Sequence, residues 1–318
     1  MPVAFDAQRE ADRLIAWIAE TTRTTFNRDG AVVGVSGGVD SSTVLYLLAK
    51  ALGPERVVAL ILPDRDSSPD SANLALTMTS ELGIEAKQVD LTAALAAMGC
   101  YDARDNAIKR AVPGFDPARD KAKIVLPQDL LGGATLNVYS VVVVKPDGDE
   151  IRRRLRPAEF HEIVAASNLK QRTRMLTLYH EAERRNYSVA GTANKDEYDL
   201  GFFVKYGDGG VDMQPISHLF KTQVYAIAEV VGVPEAVRQR PPTTDTYSAE
   251  CTQEEFFYRL PFHLLDAIWE GGEAGEPAAE IAQRVGLSGE QVENTLFDIK
   301  RKQATTEYLR MEPLAPTK

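Results

Sequence analysis

The chain has 318 residues, 44% of them hydrophobic and 26% charged, which allows a substantial core in one α/β domain with an appendage or in two small domains. A formal net charge of −10 argues against a nucleic-acid partner held by a general basic field and leaves room only for a local basic pocket. Two cysteines far apart, Cys100 and Cys251, argue against a disulfide framework or a cysteine metal site, and no apolar run approaches membrane-spanning length, so a reducing cytoplasm is the expected location.

Apolar periodicity predicts a helix over about 7 to 25, strands near 31 to 36, 57 to 62 and 84 to 90, and helices near 41 to 52 and 70 to 82 between them. Such alternation implies βαβ crossovers and a parallel sheet. Ligands then sit beyond the carboxyl ends of the strands, where residues 36 to 42 and 63 to 70 fall. Val141 to Ile151 reads as a β-hairpin around Asp147-Gly148. A long helix is expected over 168 to 186, then a short strand at 188 to 191, a Gly- and Asp-rich loop from Gly201 to Asp212, and a helix over 218 to 231. Pro234, Pro241 and Pro242 break the pattern after it. Residues 280 to 292 have the spacing of a helix-turn-helix. Residues 270 to 318 carry nine acidic side chains against six basic ones, which favours two packed helices over a DNA-binding module.

The chemistry concentrates in Gly34, Val35, Ser36, Gly37, Gly38, Val39, Asp40, Ser41 and Ser42, a glycine loop between a strand and a helix start. Backbone N–H groups converge there on an anion, and Asp40 can hold Mg²⁺ against phosphate oxygens. The Gly-Lys-Ser/Thr ending of the common phosphate loop is missing. The heptad from Ser36 to Ser42 resembles the PP-loop of ATP pyrophosphatases, which split ATP between the α and β phosphates. The plain alternative is a Gly-Gly turn capped by Asp and Ser.

Further along stand Asn168 to Met175 (NLKQRTRM), Gly191 to Glu197 (GTANKDE), Lys205 to Asp212 (KYGDGGVD), Pro215-Ile216, Lys221, and Pro242 to Asp245 (PTTD). In this order and spacing the chain is similar to the NAD synthetase family of ammonia-dependent type. The resemblance covers about 31 to 90 and 168 to 245. It implies an α/β fold with a doubly wound parallel sheet, Rossmann-like and of PP-loop type, carrying a helical C-terminal appendage and the inserted β-hairpin. The implied organisation is a PP-loop domain over 1 to 250, with an insertion at about 98 to 160, and a helical segment over 251 to 318.

Carried over, the resemblance implies that Gly34, Ser36, Gly37, Gly38, Val39, Asp40, Ser41, Ser42, Thr192, Lys221 and Thr243 bind ATP, and that Asp40 and Glu197 bind Mg²⁺. Arg172, Lys205, Asp212 and Lys300 match positions that bind deamido-NAD. The implied reaction adenylates the nicotinate carboxylate and then amidates it with ammonia, with no side-chain nucleophile. Each residue also has a plainer reading. Arg172 and Arg174 suit a solvated helix face, Asp208 and Asp212 suit turns, and Glu197 suits a helix start. The four histidines show no ligand spacing.

Three features depart from the family pattern. The stretch between Asp90 and Asn168 is longer, the segment Cys251 to Phe262 is more aromatic, and the usual C-terminal His-Lys pair stands as Ile299-Lys300. All three fall on the acceptor side, so an amide ligase for another carboxylate stays open, as does a nucleotide-binding regulator without turnover. The expected partners are small molecules and a second copy of the chain, with no nucleic acid and no membrane. About thirty residues precede the loop, too few for a glutaminase domain, so ammonia is expected to be free or delivered by a separate glutaminase.

Overall fold

A computed structural model describes residues 5–126, 139–243 and 247–316. Four parallel strands form the central sheet: β1 (Ala31–Gly34), β2 (Val57–Ile61), β3 (Glu85–Gln88) and β7 (Ser188–Ala190), in the order β3-β2-β1-β7. β1 and β2 are near-continuous runs of apolar residues because both their faces are covered. Ala31, Val33, Val57, Ala59 and Ile61 face one core, while Val32, Val58 and Leu60 face another.

The first core is closed by α1 (Ala7–Glu20), α2 (Val39–Leu52), α3 (Pro69–Leu82) and α8 (Lys221–Val231). α2 is buried nearly all round, as befits a helix enclosed by the sheet and by α1, α3 and α8. The second core lies under α4 (Thr92–Ala97), α5 (Cys100–Ala111) and α6 (Pro157–Glu183). The expected doubly wound parallel sheet is thus present, with shorter strands than periodicity alone gave. α6 starts eleven residues before the expected 168, with Pro157 in its first turn and Glu159 returning a bond to the Arg156 N–H at 3.0 Å.

The expected hairpin is β5 (Ser140–Val144) and β6 (Glu150–Arg154), antiparallel with Val144 opposite Glu150. Gly148 takes φ +92 in its turn, a left-handed conformation that suits glycine. A third strand, β4 (Lys121–Val125), pairs with β5 and had no counterpart in the periodicity. α7 (Lys195–Leu200) and α9 (Glu235–Arg238) flank α8, and α10 (Phe262–Glu273), α11 (Ala278–Val285), α12 (Gly289–Thr305) and α13 (Glu307–Arg310) follow. α11 and α12 pack on each other through Ile281 and Val292, with Gly286 left-handed between them and Ser288 capping α12. Tyr258, Trp269 and Ile299 share one cluster with Leu200 and Phe220, so the C-terminal helices bury their apolar faces against α7 and α8. Among the described residues no helix is long and apolar enough to cross a membrane.

Candidate active site

Loops from the carboxyl ends of β1, β2 and β7 open on one cavity of about 670 Å³, within the range of small-molecule sites. Gly34, Ser36, Gly38, Val39, Asp40 and Ser41 line it from the first loop, and Thr192, Glu197, Lys221 and Thr243 from later segments. α2 starts at Val39 with Gly38 as an N-cap that has no side chain to close the helix, so its first N–H groups stay available to an anion. Gly37 and Ser42 act from behind the wall. Gly37 has φ +76, and a Cβ there would lie 2.6 Å from the Ser71 carbonyl oxygen. Ser42 is fully buried, its hydroxyl donating to the Gly38 carbonyl at 2.8 Å. Thr244 and Asp245, which belong to the motif after Pro242, lie outside the described residues.

Asp40 stands between two partners. The Lys221 ammonium pairs with Oδ2, and Asn194 Nδ2 donates to Oδ1 at 3.0 Å. Lys221 itself is 0% exposed, and α8 holds it there because its first two N–H groups are taken by carboxylates: Lys221 N by Asp196 at 2.9 Å and Thr222 N by Asp266 at 2.8 Å. Burial acts to lower the Lys221 pKa, and the Asp40 and Glu197 carboxylates outweigh it, keeping the ammonium charged. Glu197 is fixed in a capping box, its backbone N–H donating to Asn194 Oδ1 at 3.0 Å and Asn194 N donating back at 3.3 Å. Gln253 Nε2 donates to Glu197 Oε1 at 3.1 Å. Burial, with the nearby Asp40 charge, pushes the Glu197 pKa up to about 8.

Arg172 and Lys205, which the resemblance assigns to the acceptor, line the cavity. Arg172 Nε donates to the Lys205 carbonyl at 3.3 Å, and Lys205 Nζ donates to the carbonyls of Tyr308 and Met311 at 3.0 and 2.6 Å. Asp212 and Lys300 are not on this wall. Both oxygens of Asp212 are engaged, one by Val189 N at 2.8 Å and the other by the Tyr179 hydroxyl at 3.0 Å, and Lys300 is exposed on α12. Tyr139, Phe160, Phe202, Tyr247, Phe256 and Phe257 give the cavity an aromatic wall, with Phe256 5.5 to 6.1 Å from three of the other rings.

Asp208 is a residue that sequence reasoning left as a turn former. Asp208 lines the cavity from an exposed turn, and desolvation of its carboxyl by the surrounding protein raises its pKa to about 6. Its Oδ1 accepts the Val204 N–H at 2.9 Å, so the turn role and the cavity role coexist. Its position between Gly207 and Gly209 hid it.

A family model for NAD synthase matches residues 10–125 and 137–312. The chain belongs to the NAD synthase family. Within it, a Mesorhizobium japonicum protein named NH(3)-dependent NAD(+) synthetase is 44% identical over 98% of this chain and 97% of its own length. A protein of the same name from Rhizobium meliloti is 43% identical over 97% and 92%, and one from Thermotoga maritima is 39% identical over 81% and 84%. Among solved structures, the NMN synthetase of Francisella tularensis superposes with a TM-score of 0.68 at 21% identity, covering 98% of this chain and 99% of that one. The NH3-dependent NAD synthetase of Campylobacter jejuni superposes with a TM-score of 0.63 at 22% identity, covering 98% and 100%. These two structures establish the shared fold of the NAD synthase chain.

Proposed function

We propose that this chain uses ATP to adenylate the nicotinate carboxylate of deamido-NAD and amidates it with ammonia, giving NAD, AMP and pyrophosphate. The observation that carries this reading is the convergence of the open α2 start, Asp40, Glu197 and Lys221 on one cavity, in a chain 44% identical to a relative named for the ammonia-dependent reaction. In the first step a carboxylate oxygen bonds to the α phosphorus as the bond to the β phosphate breaks. The N–H groups of α2 and the Lys221 ammonium face the charge that develops on the departing pyrophosphate. In the second step ammonia bonds to the carbonyl carbon and AMP leaves. Ammonium must first give up a proton, and Asp208, ionised above about pH 6, is the cavity carboxylate suited to take it. Asp208→Asn is expected to slow amide formation about 100-fold while pyrophosphate release in a single turnover persists. Equal losses in both would contradict the assignment.

Magnesium suits Asp40 and Glu197. They are two hard carboxylates whose repulsion helps raise Glu197, an excess of negative charge that a divalent cation relieves. Among the described residues no cluster of three or more metal-ligating side chains occurs, which fits an ion that completes its shell with phosphate oxygens and water. When bound, it neutralises triphosphate charge. Because protons compete for Glu197 below about pH 8, the Mg²⁺ concentration for half-maximal rate is expected to fall as pH rises from 6 to 8. In the ligand-free protein the sign is opposite for stability. The folded pKa of Glu197 lies above its unfolded value of 4.5, so this group's contribution is full below 4.5 and is lost as pH climbs through 8. A Mg²⁺ requirement independent of pH would remove Glu197 from the ligand set.

We place the acceptor at a homodimer interface in a cytoplasmic enzyme. Arg172 and Lys205 would hold it from one copy, with Asp212 and Lys300, which lie off this cavity, reaching it only from another direction. Residues 1 to 250 and 251 to 318 serve as catalytic domain and packed helical segment, and ammonia arrives free or from a separate glutaminase. A different carboxylate as acceptor is the second reading, favoured by the position of Asp212 and Lys300. Incubation with Mg²⁺-ATP, ammonium and deamido-NAD separates the two: NAD with AMP supports the first, and AMP only with another acid supports the second.

A further inference from the structure

At the end of β2, beside the cavity, lies a buried ion network that the mechanism above does not use. Asp64, with its side chain 0% exposed, accepts Lys170 Nζ at 2.9 Å on Oδ1 and Arg174 Nη2 at 3.0 Å on Oδ2. Asp66 takes Lys170 at 2.7 Å and pairs with Arg104, which also binds Asp105. Arg65 reaches Asp105 at 3.3 Å and lies over the Tyr101 ring at 3.8 Å. Asp208, across the cavity, is the further carboxylate that feels Arg174. Two of the network's cations, Lys170 and Arg104, are enclosed by it, whereas Arg174 is its one member on the cavity wall.

Arg174 is also held rigidly. Nε donates to the Leu62 carbonyl at 3.2 Å, Nη2 to Asp64, and Nη1 reaches Gln171 Oε1 at 3.5 Å. A guanidinium has five N–H donors, so among the described residues two are left without a partner on a fork already fixed by its neighbours. A preorganised guanidinium with spare donors binds an oxyanion in bidentate fashion at little entropic cost.

We propose that Arg174 is a binding residue for an oxyanion of a bound substrate, with Asp64 as the positioning residue that aims it. Resting on the function proposed above, the oxyanion belongs either to an ATP phosphate or to the dinucleotide acceptor, and binding measurements distinguish the sources. Titration calorimetry on the intact protein with ATP and, separately, with deamido-NAD is the test, because it reads Arg174 whether or not NAD is made. Failure of the wild type to form NAD would sink the proposed function and leave this measurement standing.

Arg174→Gln is expected to weaken at least one of the two ligands tenfold or more, with ATP alone affected if the phosphate is the source and deamido-NAD alone if the acceptor is. Arg174→Lys, which keeps charge without the fork, is expected to recover only part of the loss. The Asp64→Asn, Arg174→Gln double variant removes the opposed charges together, so its thermal midpoint should return toward wild type while the binding loss stays. Unchanged affinity for both ligands in folded Arg174→Gln or Arg174→Lys overturns the proposal. So does a double variant that regains affinity along with stability, since Arg174 would then only support the fold.

Discussion

Lys221→Met is expected to lower the rate of pyrophosphate release about 1000-fold. Among the described residues Lys221 is the one cation paired with Asp40, it is 0% exposed, and α8 starts on it with its first two N–H groups bound by Asp196 and Asp266. Its ammonium is therefore aimed before ATP arrives, which is what makes a charge effective when phosphate oxygens gain charge in the transition state. Methionine keeps the length and fills the site, so packing against Phe262 and the helix start survive. The ligand-free protein should fold, with Glu197 still more readily protonated because its nearest cation is gone. Rapid-quench measurement of pyrophosphate in one turnover reads the chemical step. A loss below tenfold would mean that Lys221 serves the fold alone.

Asp40→Asn is the second large effect, and here stability and catalysis separate. The sequence reading gives Asp40 a role in binding ATP and metal alone. The structure adds that Asp40 neutralises a buried lysine, so asparagine leaves Lys221 with Glu197 as its remaining anion. Stranding a buried charge costs about 3–5 kcal/mol, and the partial compensation by Glu197 places this variant toward the lower end. The expected result is a thermal midpoint lower by several degrees and pyrophosphate release reduced about 1000-fold, with ATP binding no longer strengthened by Mg²⁺. Calorimetric titration of ATP with and without Mg²⁺ checks the last point. Undiminished Mg²⁺ enhancement would take Asp40 out of the metal site.

The parts of the fold legible in the sequence are those set by local chemistry. β1, the glycine loop and α2 follow from an apolar run, a Gly-Gly step and a helix start within twenty residues, and Gly37 at φ +76 shows why glycine stands there. The hairpin at β5 and β6 is announced by Asp147-Gly148. β4 was not legible, because it is defined by pairing with β5 across an intervening segment and its own alternation, Lys121 to Ile124, is only four residues long. α6 was read short because Arg156 offers no side-chain acceptor to cap the helix, and its start is held instead by the Glu159 carboxylate accepting the Arg156 N–H.

The site divides in the same way. Thr192, Glu197 and Lys221 line one cavity with the first loop, since their segments follow β7 and run into α8 at the same end of the sheet. Asp212 matches the motif, yet here it is committed to Val189 N and Tyr179. The loop at 63 to 70 and the NLKQRTRM segment were both noticed, but the pairing of Asp64 and Asp66 with Lys170 and Arg174 gave no signal, because Asp-Arg-Asp reads as a polar loop and its partners stand about a hundred positions away. Neutralisation of buried charge over such separations is a tertiary event that no local pattern reports.

Transfer of ¹⁸O from a labelled nicotinate carboxylate of deamido-NAD tests the central claim most directly. If the carboxylate attacks the α phosphorus, each NAD formed is matched by one AMP carrying one ¹⁸O atom, and pyrophosphate is unlabelled. Unlabelled AMP, or label appearing in phosphate alongside ADP, would contradict adenylation at this site.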